Sequence, residues 1–114
     1  MKQVILDTSF IITCVRQKID FFEEIKFMGM KILIPKEVIQ ELEKKKAKTA
    51  LKLLVEKMND FELIEIGKGH VDNGIIKKAK DNPSLIVATL DAEIKTSVKN
   101  HKLVIRGKNQ LEVI

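Results

Sequence analysis

The chain lacks tryptophan and tyrosine, and its aromatic side chains are five phenylalanines among 114 residues. RNA-binding modules such as RRM and OB folds stack bases on aromatic side chains, so this composition argues against them. The single cysteine, Cys14, excludes an internal disulfide and a cysteine-rich zinc site, as is typical of the reducing cytoplasm. No run approaches the roughly 20 apolar residues that a membrane span requires. We therefore expect a soluble, cytoplasmic protein with no membrane partner.

Aliphatic side chains are abundant, whereas glycine and proline number only five and two, which is typical of a globular fold. The length suits one hydrophobic core, and no repeat or linker interrupts the chain. We therefore expect a single domain over residues 1–114. The net charge of +5 permits an anionic partner such as a nucleic acid.

Hydrophobic runs alternate with helical patterns along almost the whole chain. Most of the runs lack polar alternation, which is typical of parallel strands buried on both faces. The run at 61–66 alternates more and is expected nearer an edge. Strands are predicted at about 3–7, 31–34, 61–66, 85–89, 102–106 and 111–114. Helices are predicted near 9–14, 19–28, 36–45, 47–58, 70–81 and 92–100. The pattern predicts an α/β fold, a three-layer sandwich around a mainly parallel sheet of about five strands.

Four acidic residues recur where a hydrophobic run gives way to a helix. Asp7 and Asp91 directly follow buried runs, Glu41 lies on the helix after the second strand, and Asp72 opens the helix after 61–66. In an open α/β sheet the carboxyl ends of parallel strands share one edge, where ligands bind. The four carboxylates are therefore predicted to converge on one site.

Each of these acids also has a purely structural explanation. Asp7 and Asp91 are suitable helix caps, and Glu41 lies at the border of an apolar stripe, where a solvated side chain is common. Asp72 is different, because it falls at the centre of an apolar stripe, and a buried carboxylate is costly unless it is paired or binds a metal. Only the conjunction of all four favours a functional site.

A divalent cation would relieve the repulsion within such a cluster. Oxygen ligands without a histidine or cysteine group suit Mg²⁺ or Mn²⁺ better than zinc. Such an ion lowers the pKa of a coordinated water and stabilises charge on a phosphoryl oxygen. Ser9 and Thr89 are short hydroxyls that can hydrogen-bond the carboxylates or a water; an ordinary cap or turn is the alternative for each.

The chain resembles the PIN-domain ribonucleases in four segments: VILDTSF at 4–10, IPKEVIQEL at 34–42, VDNGII at 71–76 and IVATLDAEI at 86–94. The resemblance covers essentially the whole chain and implies a Mg²⁺- or Mn²⁺-dependent endoribonuclease with a parallel sheet. It assigns the catalytic and metal-binding roles to Asp7, Glu41, Asp72 and Asp91, with Ser9 and Thr89 in support. Leu90 departs from the family pattern, which often has Asn there.

The partners implied by this resemblance depend on the branch of the family. The ending after residue 101 is similar to small stand-alone members allied to ribosomal-RNA processing nucleases, whereas VapC-type toxins of toxin–antitoxin pairs share the same core. RNA is the expected substrate, and an antitoxin or a ribosomal-processing protein is the expected partner. A non-catalytic RNA-binding module is the remaining alternative. The amphipathic segment at 19–28 suits burial in the core or a homodimer.

A run of lysines follows Glu41, consisting of Lys44, Lys45, Lys46 and Lys48. One interpretation is a phosphate-binding rim that attracts RNA and weakens as salt rises. The other is a solvated helix face. Two rival phosphoryl-handling folds fit the sequence poorly, because a receiver domain needs an aspartate after its third strand and a haloacid-dehalogenase phosphatase needs one at position 9.

Overall fold

A computed structural model describes all residues, 1–114, and has a central sheet of six strands in the order β3-β2-β1-β4-β5-β6. All neighbours are parallel except β5 and β6. The predicted α/β sandwich is confirmed. The sheet has six strands rather than about five, because the end of the chain folds back beside β5. The strands are β1 (Gln3–Leu6), β2 (Lys31–Pro35), β3 (Glu62–Ile64), β4 (Ile86–Ala88), β5 (Lys102–Arg106) and β6 (Gln110–Val113).

Six α-helices connect the strands, with bounds within a few residues of the predicted ones. The largest difference is at the end of the last helix, which stops at Ser97 because Val98 is extended (φ −127°, ψ 148°). β3 is shorter than predicted, and its predicted edge position is correct. The helices are α1 (Thr8–Arg16), α2 (Phe21–Phe27), α3 (Lys36–Lys44), α4 (Lys48–Glu56), α5 (Val71–Asp81) and α6 (Ala92–Ser97). None has the length and hydropathy that a membrane crossing would need.

The two central strands, β1 and β4, form the middle of the hydrophobic core. Val4, Ile5 and Leu6 are fully buried, as are Val87 and Ala88, because helices cover both faces of the sheet. α2 contributes Phe21 and Phe22 to this core, as its amphipathic pattern predicts, whereas its last residue, Phe27, is 92% exposed. The absence of polar alternation in the sequence therefore reflects a sheet covered on both sides.

The topology places a crevice at the carboxyl ends of β1 and β4. The chain runs outward from β1 to β2 and β3, and then returns to form β4 on the other side of β1. Because parallel crossovers are right-handed, α1 to α4 lie on one face and α5 and α6 on the other. The contacts of α1 with α3 and α4, and of α5 with α6, agree with this arrangement. Ligand sites in open α/β sheets lie at such a reversal of strand order.

Candidate active site

Asp7 occupies the centre of this crevice and is almost completely buried, with 3% of its surface exposed. It caps α1, and its Oδ1 accepts hydrogen bonds from the Phe10 amide (2.8 Å) and the Ser9 hydroxyl (2.9 Å). Its Oδ2 accepts a hydrogen bond from the Thr89 hydroxyl at the end of β4. The structural and functional explanations of Asp7 are therefore compatible, because the cap fixes the carboxylate in the crevice.

Burial has the largest effect on the pKa of Asp7 and, because it disfavours the charged carboxylate, the pKa is raised to about 6. The hydrogen bonds from Thr89, Phe10 and Ser9 act in the opposite direction, because they stabilise the charged form. The negative charge of Asp72 raises the pKa further. The protein thus keeps an ionisable carboxylate in a position where ionisation is costly.

Thr89 links the first and last of the predicted acids. Its hydroxyl donates to Asp7 and accepts a hydrogen bond from the Asp91 amide at 3.0 Å. Asp91 caps α6 by accepting from the amides of Glu93 (2.8 Å) and Ile94 (3.4 Å). The two carboxylates at the ends of β1 and β4 are therefore held in one hydrogen-bonded unit.

All four predicted acids line a single cleft of about 250 Å³. Glu41 reaches it from α3, and Asp72 reaches it from the first turn of α5. Both are partly exposed, unlike Asp7. The complete lining consists of Asp7, Thr8, Ser9, Ile12, Glu41, Lys45, Asp72 and Asp91.

The pKa of Asp72 is also raised, first by burial and then by the negative charges of Asp91, Glu41 and Glu93. His70 has a smaller, opposite effect. Glu93 is an exposed residue of the first turn of α6, yet its charge still acts on Asp72. These neighbouring acids are close enough to disfavour the ionisation of Asp72, so a cation in this cleft would relieve that repulsion.

The cleft suits a hydrated hard cation rather than a tightly chelated one. No three acidic, histidine or cysteine side chains are close enough to hold an ion together. The Thr8 hydroxyl, however, is buried at the cleft without any hydrogen-bond partner, and the donor set consists of oxygen atoms. Mg²⁺ retains several waters and takes only one or two direct carboxylates, so these residues fit it and Mn²⁺.

The four lysines predicted as a rim line three adjoining depressions rather than one. Lys45 lines the acidic cleft, one helical turn after Glu41 on α3. Lys44 lines a depression that shares Glu41 with the cleft, and Lys46 and Lys48 line a groove that shares Ile12 with it. Two residues of the cleft, Thr8 and Ile12, were not predicted from the sequence. Thr8 could have been found, because it directly follows Asp7 in the sequence.

The fold and this acidic cleft define an α/β protein with a carboxylate site at the reversal of its strand order. A family model described as PIN like domain matches residues 4–108. Ribonuclease VapC4 of Methanocaldococcus jannaschii is 30% identical over 127 residues, covering 99% of this chain and 97% of that protein. The chain therefore belongs to the PIN-like domain family.

Two solved structures extend this comparison. The structure of the PIN domain endonuclease Utp24 matches with a TM-score of 0.81 and 27% identity, covering 97% of this chain and 90% of that one. A domain of a functionally unknown protein from Methanocaldococcus jannaschii matches with a TM-score of 0.58, covering 100% and 99% of the two chains. Its identity of 20% shows a likeness of fold alone.

Proposed function

We propose that this protein is an endoribonuclease that hydrolyses RNA phosphodiester bonds with the help of Mg²⁺ or Mn²⁺. The observation that carries the proposal is the single cleft in which four carboxylates from four segments meet. The relatives named as a ribonuclease and as an endonuclease support the same activity for this chain.

Asp7 and Asp91 are the residues that would hold the ion directly, because the hydrogen bonds of Thr89 and the helix caps fix their positions. Glu41 and Asp72, which are partly exposed, would orient water molecules in the cleft. A bound divalent ion supplies positive charge for the phosphoryl oxygens and increases the acidity of water. Lys45 adds a positive charge of the protein itself at the same place.

We favour a role in RNA processing, with a toxin of a toxin–antitoxin pair as the second candidate. The observation in support of the toxin is the 30% identity to the archaeal protein named VapC4. Expression in cells distinguishes the two roles. A toxin arrests growth when it is produced without an antitoxin, and Asp7→Asn relieves the arrest, whereas a processing nuclease leaves growth largely unchanged.

The proposed activity is tested by incubating mixed-sequence RNA with the protein and Mn²⁺ or Mg²⁺, with EDTA and Asp7→Asn as controls. We expect cleavage only when both the metal and Asp7 are present. Equal cleavage by wild type and Asp7→Asn would assign the activity to a contaminant or to another site. Cleavage that survives EDTA would contradict the metal dependence.

A further inference from the structure

A groove between α1 and α4 leads away from the acidic cleft. The part next to the cleft, about 340 Å³, shares Ile12 with it. The part beyond, about 390 Å³, shares Val15 and Thr49 with the first. We refer to the two parts together as the α1–α4 groove. A ligand in this groove would be continuous with one in the acidic cleft.

The α1–α4 groove is strongly basic, and the depression that shares Glu41 with the cleft is not. Two acidic residues line the groove, Asp20 and Glu56. They are outnumbered by six cationic side chains, none of which is in a salt bridge. The six are Arg16, Lys18, Lys46, Lys48, Lys52 and Lys57. That second depression is lined by three lysines and three glutamates, and one lysine is paired with one glutamate (Lys36 and Glu65, 3.0 Å).

Two of the groove lysines occupy backbone positions that favour glycine. α1, α2 and α3 each end with the same backbone hydrogen bond, in which an amide bonds to a carbonyl five residues earlier. The residue with positive φ in this motif is Gly29 after α2, but it is Lys18 (φ 58°) after α1 and Lys46 (φ 55°) after α3. The two ends that border the groove therefore carry a lysine where glycine would be less strained. Both positions therefore add a positive charge to the groove where the backbone alone would favour glycine.

From these observations we propose that the α1–α4 groove binds single-stranded RNA on one side of the phosphate that is cleaved. The groove has no aromatic lining residue, so it would hold phosphates rather than stack bases. Binding is then strongly salt-dependent and nearly independent of base sequence. This inference rests on the proposed nuclease function, because it takes RNA as the ligand.

The first test compares two double variants that remove the same charge. Lys48→Gln/Lys52→Gln changes exposed groove residues of α4, and Lys77→Gln/Lys80→Gln changes exposed residues of α5 on the other face of the sheet. Glutamine has a helix propensity close to that of lysine, so both variants should fold. Binding of a fluorescein-labelled oligouridine is followed by anisotropy over a KCl series in EDTA.

The groove variant should bind more weakly, and its slope of log affinity against log salt should fall by about 1.4, because each lost phosphate contact contributes about 0.7. The α5 variant should keep the wild-type slope. Equal slopes for the two variants would overturn the inference. Binding of polyglutamate in place of RNA would also overturn it, in favour of an acidic protein partner.

The second test uses Lys18→Gly/Lys46→Gly, which relaxes the backbone while it removes two groove charges. We expect an unchanged or higher melting temperature together with weaker RNA binding, a combination that a merely structural role would not produce. Unchanged binding would overturn the role of these two lysines. If wild type cleaves RNA but no groove variant alters binding, the inference fails and the nuclease stands. If RNA binds through the groove without being cleaved, the nuclease fails, and only RNA binding by the groove stands.

Discussion

Asp7 and Asp72 line the same cleft, but the chain holds their carboxylates in different ways. Asp7 is buried at a strand end and accepts three hydrogen bonds, two from its own helix and one from Thr89. Asp72 lies in the first turn of α5 and is partly exposed, and no hydrogen bond contributes to its pKa. Asp7 has a fixed position, whereas Asp72 can adjust to what occupies the cleft.

Asp7 and Asp72 also differ in what raises the pKa of each carboxylate. For Asp7 the dominant cause is burial, and the hydrogen bonds only partly compensate. For Asp72 burial is followed by the charges of three neighbouring acids. A cation would therefore compensate a desolvated charge at Asp7 and relieve repulsion at Asp72. The contrast suggests that Asp7 fixes the position of an ion and Asp72 adapts around it.

The largest effect is expected when the fixed carboxylate is neutralised. Asp7→Asn should lower the rate of RNA cleavage by about 10³-fold or more, which corresponds to about 4 kcal/mol of lost transition-state stabilisation. Asp72→Asn should lower it by about 10–100-fold, as for residues that act through water or another ligand. Single-turnover cleavage at saturating Mn²⁺ measures both. Equal losses would remove the distinction between the two acids.

The Thr89 hydroxyl is one of three groups that fix the position of the Asp7 carboxylate, so Thr89→Val should loosen it. This nearly isosteric change leaves an Asp7 oxygen and the Asp91 amide without their partner. Since Thr89 is fully buried, we expect the free energy of unfolding to fall by about 1–3 kcal/mol. We expect cleavage to fall by about 10–100-fold. Urea unfolding and cleavage are the two measurements, and Thr89→Ser, which restores the hydroxyl, should recover most of both.

The pH dependence of stability should reveal the buried carboxylate. The pKa of Asp7 is 3.8 when unperturbed and about 6 in the folded protein, so between these values the folded state binds more protons than the unfolded state. The free energy of unfolding should therefore fall by about 2 kcal/mol as the pH rises from 4 to 6, and by about 3 kcal/mol over the whole titration, because one pKa unit is worth about 1.4 kcal/mol. Asp7→Asn should flatten this fall in EDTA. A fall of the same size in the variant would assign the effect to other groups.

The smallest effect concerns the adaptable carboxylate. Glu93→Gln removes one of the negative charges that raise the pKa of Asp72, and the change is at an exposed position. The pKa of Asp72 should move down toward its ordinary value, while the pKa of Asp7 should not change. An NMR titration of the side-chain carboxyl carbons in EDTA measures both. A shift at Asp7 instead would mean that Glu93 faces the other acid.

Much of the fold followed from pattern alone, because strands buried on both faces leave long apolar runs and helices leave a periodic stripe. The antiparallel pairing of β6 could not be predicted in this way, since the strand Gln110–Val113 is short and its residues are mostly exposed. The convergence of the acids could be predicted because strand ends in a parallel sheet share an edge. The separation of Lys44, Lys45 and Lys46 onto three surfaces could not, because it depends on where α3 ends and on the positive φ of Lys46.

The sequence also could not show that Asp7 both caps a helix and faces the cleft. Those two roles require its two oxygens to point to different partners, which depends on the pairing of β1 with β4 and on the resulting position of Thr89. The orphaned hydroxyl of Thr8 likewise depends on packing around α1. Such details determine the chemistry of the site, and they lie in the tertiary structure.

The most direct test is a calorimetric titration of the metal-free protein with Mn²⁺, comparing wild type with Asp7→Asn at a pH just below 6, where much of Asp7 is still protonated. Wild type should bind Mn²⁺ saturably and release protons as Asp7 ionises, and the variant should lose at least about 10-fold in affinity. Binding of the same affinity and proton release in both proteins would contradict the claim that the four carboxylates form one cation site.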